Sequence, residues 1–352
     1  MPELFEPRFT ATGIGTLPLV DPQTAVAAIT GRLTEMPYWP QLPRRDAMED
    51  MSLQYAHALR PLVAPDTAER MLRPHPGLSR EEALAGFYER LFTSETADFG
   101  LRPEEAAGFF AFIAAIGRAD ADAFPWIKGH VTGPLTLAAS AIGADGKAML
   151  YDDEMAEALA KGLGAAAAAQ VGQLADLGRP ALIFIDEPFL SGYGSAFSPI
   201  SRDQAINLLS LTLDEARARS EAVWGVHCCG NTDWSLLIDA GFDVLNLDSA
   251  GFGRHLLLYP EALKRFYGRG GAVAWGAVPT IGYTGAETPA SLWAELKALL
   301  TDLAKLGIDR AVIANQALVS PACGLGTLDE AKTLAILDLT RGVSELARED
   351  FL

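Results

Sequence analysis

The stretch Ala181-Leu182-Ile183-Phe184-Ile185-Asp186-Glu187-Pro188 decides the fold. Five apolar residues of strand length run into two acids and a proline, with a helix-period segment before them (153–177) and another after (202–219). Outward from this point the alternation repeats. Short apolar runs predict strands at 11–17, 38–42, 126–133, 181–186, 224–230, 244–248, 273–278 and 311–317. Longer segments predict helices at 22–35, 153–177, 202–219, 234–240, 260–266, 289–306 and 329–348. Ser201 before Arg202-Asp203-Gln204, and Thr288 before Pro289, supply capping side chains for two of them. Strands alternating with helices in this way predict an α/β chain folded as a (β/α)8 TIM barrel. A doubly wound open sheet is the alternative, because a strand count does not close a sheet.

One segment breaks the rhythm. Residues 53–124, between the second and third strands, read as helices (79–92 and 103–118) and loops punctuated by Pro61, Pro65, Pro74 and Pro76. Such a helical insertion either packs against the barrel or covers its mouth as a lid. A single barrel domain over 1–352 is expected, with no internal repeat.

Composition bounds the function. A hydrophobic fraction of 49% with 21% charged residues supports a large core and excludes a disordered chain. The net charge of −17 argues against nucleic acid or an anionic membrane as partner, while leaving room for a local basic pocket. Three cysteines are too few for a disulfide scaffold, and Met1-Pro2-Glu3-Leu4-Phe5-Glu6 puts acids where a signal peptide carries bases. With no apolar run of spanning length, the expectation is a cytoplasmic enzyme without a membrane anchor.

The chemistry gathers at strand ends. In Trp224-Gly225-Val226-His227-Cys228-Cys229-Gly230-Asn231, strand alternation turns His227 and Cys229 to one side and Cys228 to the other. Cys323 follows the last strand in Ser320-Pro321-Ala322-Cys323-Gly324-Leu325. A barrel brings all carboxyl ends to one rim, where these three can meet. One imidazole and two thiolates form a soft set that suits Zn²⁺ with a position left open. Three buried small apolar residues beside a core histidine, or a cysteine redox pair, are the other readings. Asp248 ends the next strand, as a functional acid or as the cap of the following helix. The pair Asp186-Glu187 must send at least one carboxylate to the rim. His130 and His255 are read as rim histidines that either assist a leaving group or are merely polar. Gly13-Ile14-Gly15-Thr16-Leu17-Pro18 lacks the dinucleotide fingerprint.

Taken in order, Gly13-Ile14-Gly15-Thr16-Leu17-Pro18, Gly133-Pro134-Leu135-Thr136, Ile185-Asp186-Glu187-Pro188, His227-Cys228-Cys229 and Pro321-Ala322-Cys323-Gly324-Leu325 resemble the catalytic half of cobalamin-independent methionine synthase. Related barrels are the methylcobalamin:coenzyme M methyltransferases and uroporphyrinogen decarboxylases. The resemblance implies a zinc-dependent transferase of methionine biosynthesis with His227, Cys229 and Cys323 as metal ligands. Asp248 stands where the family has a fourth, glutamate ligand. Asp186 would hold the homocysteine amine, Thr16 the carboxylate, and Gln41 replaces a glutamate that assists amine binding.

Two departures shape the expected donor. The family's long amino-terminal half is missing, and Ser140 replaces a tryptophan that stacks on folate. The resemblance then points to stand-alone core forms, which take methyl from methylcobalamin or a corrinoid protein. Asp248 would guard the open metal position and yield to the incoming thiol, and His130 would serve the leaving group. A coenzyme M-type methyltransferase, or a zinc-free decarboxylase-like or ligand-binding barrel, are the alternatives. Asp186 favours homocysteine over coenzyme M, because a sulfonate would call for Arg or Lys there.

Overall fold

The computed structural model describes residues 5–120, 123–194 and 200–352. The acid at Glu3 and residues 121–122 of the expected insertion lie outside the described residues. Seven strands form one parallel sheet: β1 Thr10–Ala11, β4 Ile127–Thr132, β5 Ala181–Asp186, β6 Val223–Cys228, β7 Val244–Asp248, β8 Ala272–Val278 and β9 Ala317–Pro321. Their order is β1-β9-β8-β7-β6-β5-β4, so each strand after the first edge neighbours its successor. A further antiparallel hairpin, β2 Val63–Asp66 with β3 Met71–Pro74, lies in the insertion.

The two sheet edges are joined by residues 37–41. Tyr38 bridges Lys128 of β4 and Gln41 bridges Thr16 beyond β1, both in parallel register. The Lys128 N–H donates to Pro37 at 2.9 Å, the Leu17 N–H donates to Gln41 at 2.9 Å, and the Gln41 N–H donates to Gly15 at 3.1 Å. These bonds make residues 37–41 the eighth strand and close the barrel, which sets aside the open sheet. The seam is thinly bonded, which is why its strands are shorter than the apolar runs at 11–17 and 38–42 promise.

Twelve α-helices lie among the described residues, besides four short 3₁₀ helices: α1 Pro22–Thr30, α2 Arg80–Thr93, α3 Ala107–Ile116, α4 Pro134–Ser140, α5 Asp153–Ala175, α6 Arg202–Arg219, α7 Trp234–Asp239, α8 Ser249–Leu256, α9 Pro260–Gly268, α10 Pro289–Ala304, α11 Arg310–Asn315 and α12 Glu330–Phe351. Ser201 and Thr288 cap α6 and α10 through their side chains, as their sequence context predicts. One barrel core lies inside the strands, with Met36, Leu182, Phe184, Val223, Val244, Ala274 and Leu318 packed together. A larger one lies between strands and helices. The inward set fixes parity: on β5 residues 182, 184 and 186 face the barrel, and on β6 residues 223, 225 and 227 do.

The last strand differs from expectation. Residues 311–317 read as the last strand, yet Ala311–Asn315 are helical and the strand begins at Ala317. The Asp309 carboxylate accepts from the Ala311 N–H and starts α11 there. A four-residue apolar run carries no period that separates strand from buried helix. Within the insertion, α2 and α3 lie where helices are expected, whereas the β2–β3 hairpin was not expected.

Candidate metal centre and substrate pocket

The inward parity of β6 delivers His227, and the turn after it delivers Cys229. Cys228 points outward into the shell between strands and helices, fully buried, its thiol pushed up to about 12 by burial. Two residues beyond β9, Cys323 comes in from the other side. The ligand atoms of His227, Cys229 and Cys323 lie within 4.8 Å of one another. It is the one group of this kind among the described residues.

The imidazole is held in a defined tautomer. The Asn246 side-chain N–H₂ donates to the Ala274 carbonyl at 2.8 Å and to Ser320 Oγ at 2.9 Å. A carbonyl can only accept, so the amide nitrogen faces Ala274 and Asn246 Oδ1 faces His227, 2.5 Å from Nδ1. Nδ1 therefore carries the hydrogen, and Nε2, buried and without a partner, presents its lone pair toward the thiols. This is the outer-shell arrangement that orients a metal-binding histidine. The thiols are unequal. The bond from Cys323, with the His227 imidazole beside it, pulls Cys229 down to about 4, while the bond to Cys229 and burial push Cys323 up. Two adjacent sulfurs cannot both ionise without a cation between them. An orphaned imidazole nitrogen beside two such sulfurs fits a soft dication such as Zn²⁺.

These residues open into a cavity of about 390 Å³, whose wall includes Ile14, Thr16, Gln41, Met51, Asp186 and Thr327. Of the acid pair, Asp186 faces the cavity, and burial pushes its carboxyl up to about 6, with His227 and Lys128 pulling down and Cys229 pushing up. Its Oδ1 is buried and unpartnered. Glu187 faces the other way and accepts from the N–H groups of Leu135 and Thr136 at 2.8 and 2.9 Å and from the Thr136 hydroxyl at 2.6 Å. It thus caps α4, and a Cβ on Gly133 would sit 2.2 Å from its carboxyl carbon. The Gly133-Pro134-Leu135-Thr136 and Asp186-Glu187 motifs are therefore two halves of one contact.

Thr16 and Gln41 meet as well. The Thr16 hydroxyl donates to Gln41 Oε1 at 2.8 Å, Gln41 Nε2 donates to Gln54 Oε1 at 2.7 Å, and Gln54 Nε2 donates to the Glu105 carbonyl at 2.8 Å. This chain ties the wall to the insertion, and the Thr132 hydroxyl, donating to the Met51 carbonyl at 2.7 Å, ties β4 to the segment just before it. Asp50, Met51 and Arg70 line the cavity, Arg70 from the β2–β3 hairpin, so the insertion furnishes part of the mouth.

Asp248 does not join the three clustered ligands. Its Oδ1 accepts from the Gly251 N–H at 2.8 Å and caps α8, the capping reading of a strand-end acid. His130 is not at the rim. It is buried one layer down the barrel, stacked on Trp39 at 3.8 Å, and does not line the cavity. The reason is its position two residues before the end of β4. Burial, with Lys128 adding to it, holds its pKa well below the usual histidine value, so the ring is neutral. His255 is exposed on α8, and Ser140 ends α4, both outside the cavity wall.

Sequence reasoning missed two inward residues. Asn246 interrupts an apolar strand at the parity of Asp248, a signal that was available. Lys128 is fully buried under the cavity floor, its ammonium 2.5 Å from the Ile14 carbonyl and 4.3 Å from the Phe184 ring. Burial lowers it to about 7 against the pull of Asp186.

Residues 113–346, about two thirds of the chain, match the family model described as cobalamin-independent synthase, catalytic domain. No curated protein matches the chain. Among solved structures it is similar to a B12-independent methionine synthase from Shewanella sp. W3-18-1 in complex with selenomethionine, at 20% identity and TM-score 0.45. That match covers 64% of this chain and 62% of the other, so the chain spans less than two thirds of that protein's length. No described helix is long and apolar enough to cross a membrane.

Proposed function

Since the chain belongs to the cobalamin-independent synthase catalytic-domain family, we propose that it is a zinc-dependent methyltransferase acting on a thiol, with homocysteine as acceptor and methionine as product. The carrying observation is the convergence of His227 Nε2, Cys229 and Cys323 at the floor of a cavity, beside the unpartnered carboxylate of Asp186. Zinc held by those three side chains supplies a cation that keeps an acceptor sulfur deprotonated at neutral pH, where a free thiol of pKa about 8.5 is mostly protonated.

The chain's own residues do the rest. Asn246 holds the His227 ring in register. Asp186 receives the acceptor's ammonium, and the ion pair offsets the burial that disfavours its charge. Thr16 borders the place of the acceptor carboxylate, and Gln41, bonded to it, stands where the resemblance puts help for the amine. Asp248, at the head of α8, lies near enough to Cys229 and His227 to feel their charges and would guard the open metal position. The acceptor sulfur then attacks the methyl carbon, a sulfur–carbon bond forms, and the electrons of the broken bond leave with the donor. Methylcobalamin or a corrinoid protein, the donor expected with Ser140 in place of the folate-stacking tryptophan, finds no support in a family described as cobalamin-independent.

The test is a methyl-transfer assay on protein of measured metal content, with homocysteine and coenzyme M as acceptors and methyl-tetrahydrofolate and methylcobalamin as donors. Methionine formed in proportion to bound zinc is expected. Turnover by metal-free protein, or use of coenzyme M but not homocysteine, would overturn the reading.

A further inference from the structure

The chain carries 28 basic residues against 45 acidic ones, yet two arginines stand at the mouth of the cavity. Arg44 follows the seam strand, and Arg70 sits in the turn of the β2–β3 hairpin. Both are exposed, whereas Asp186 and His227 lie deep. Both are loosely held. Arg44 donates to the Leu328 carbonyl at 3.0 Å and has no carboxylate within ion-pair distance among the described residues. Arg70 reaches Asp50 at 3.3 Å and the Pro43 carbonyl at 3.4 Å. By contrast, Arg80 at the start of α2 is clamped to Asp152 by two bonds of 2.6 Å.

We propose that Arg44 and Arg70 are the recognition site for an anionic group, carboxylate or phosphate, on the methyl donor. Naming the donor rests on the methyl-transfer reading above; the anion site itself does not. An acceptor fixed by its sulfur and by Asp186 occupies the floor. A donor delivering methyl to that sulfur must then fill the outer cavity, between the two guanidiniums. Guanidinium is the side chain suited to planar oxyanions, which it binds through paired, charge-assisted hydrogen bonds. Asp50 competes for Arg70, so the occupied site requires that long contact to give way.

The test is isothermal titration of the zinc-loaded protein with glutarate and, separately, pyrophosphate at low ionic strength. At least one is expected to bind. Arg44→Gln and Arg70→Gln should each weaken it about tenfold, the loss of one charge-assisted contact. Asp50→Asn should strengthen it, Arg70→Lys should recover part of the loss, and homocysteine affinity should not change in any of these variants. The preferred anion then assigns the donor's group as carboxylate or phosphate. Binding of neither anion, or equal binding by the double variant, overturns the proposal. So does loss of homocysteine affinity in the double variant, which would make the arginines the acceptor's anchor. Arginine-dependent anion binding in a protein that does not take homocysteine would remove the acceptor reading and leave the anion site standing.

Discussion

Replacing Asn246 by alanine tests the logic of the metal centre at a residue that touches no substrate. The change deletes the acceptor that fixes His227 Nδ1–H at 2.5 Å and two donated bonds, to Ala274 and Ser320. Loss of an outer-shell partner weakens metal binding about 10–100-fold, equivalent to roughly 1.4–2.7 kcal/mol. Competition with a chromophoric chelator measures the zinc dissociation constant directly. Asn246→Asp separates the two jobs of the side chain. A carboxylate still accepts from Nδ1–H and should keep zinc near wild-type affinity. It cannot donate to the Ala274 carbonyl, and urea unfolding should show a loss of about 1–3 kcal/mol. Wild-type zinc affinity in Asn246→Ala would refute the claim that this amide sets the tautomer.

The cysteines should divide by parity: Cys228→Ala keeps one zinc per chain by elemental analysis and Cys229→Ala loses it, the reverse pattern contradicting the inward assignment of Cys229. Gly133→Ala should lower the melting temperature markedly, because its Cβ would lie 2.2 Å from the Glu187 carboxyl carbon that caps α4; an unchanged melting temperature would mean that the contact is soft. Glu105 is buried and pushed up to about 7, with burial as the main cause. Because its folded pKa lies above the ordinary 4.5, its contribution to stability is full below that value and is lost as pH rises through about 7. Glu105→Gln, neutral throughout, should match the wild type near pH 4 and exceed it at pH 8 by on the order of 1–3 kcal/mol in urea unfolding.

Period and parity were legible in the sequence. Strand β5 and helix α6 fall where alternation and capping place them. The opposite facing of Cys228 and Cys229 follows from the two-residue repeat alone. Legibility failed where a decision belonged to tertiary structure. Ala311-Val312-Ile313-Ala314 has the composition of a strand, and a capping aspartate two residues earlier turned it into helix. Strand-end position left Asp248 between metal ligand and helix cap without deciding for the cap, and did not reveal that His130 lies a layer too deep. Arg44 and Arg70 come together through the folding of the insertion, which no local period reports. Asn246 was open to inference, as a polar residue on the inward face of an apolar strand.

The barrel's closure divides the pocket mechanically. His227 belongs to β6, laddered on both sides by β5 and β7, so the soft donors rest on the stiff arc of the sheet. Thr16 and Gln41 belong to the seam, where two isolated bridges and a few backbone bonds carry the closure. Amide hydrogens of Leu17, Trp39 and Gln41 should accordingly exchange with solvent well before those of β5 to β7, measurable by exchange mass spectrometry. The pocket is a vice with one fixed and one yielding jaw: the sulfur side keeps its geometry through each opening of the seam, and adjustment to the rest of the acceptor falls to the wall that can give.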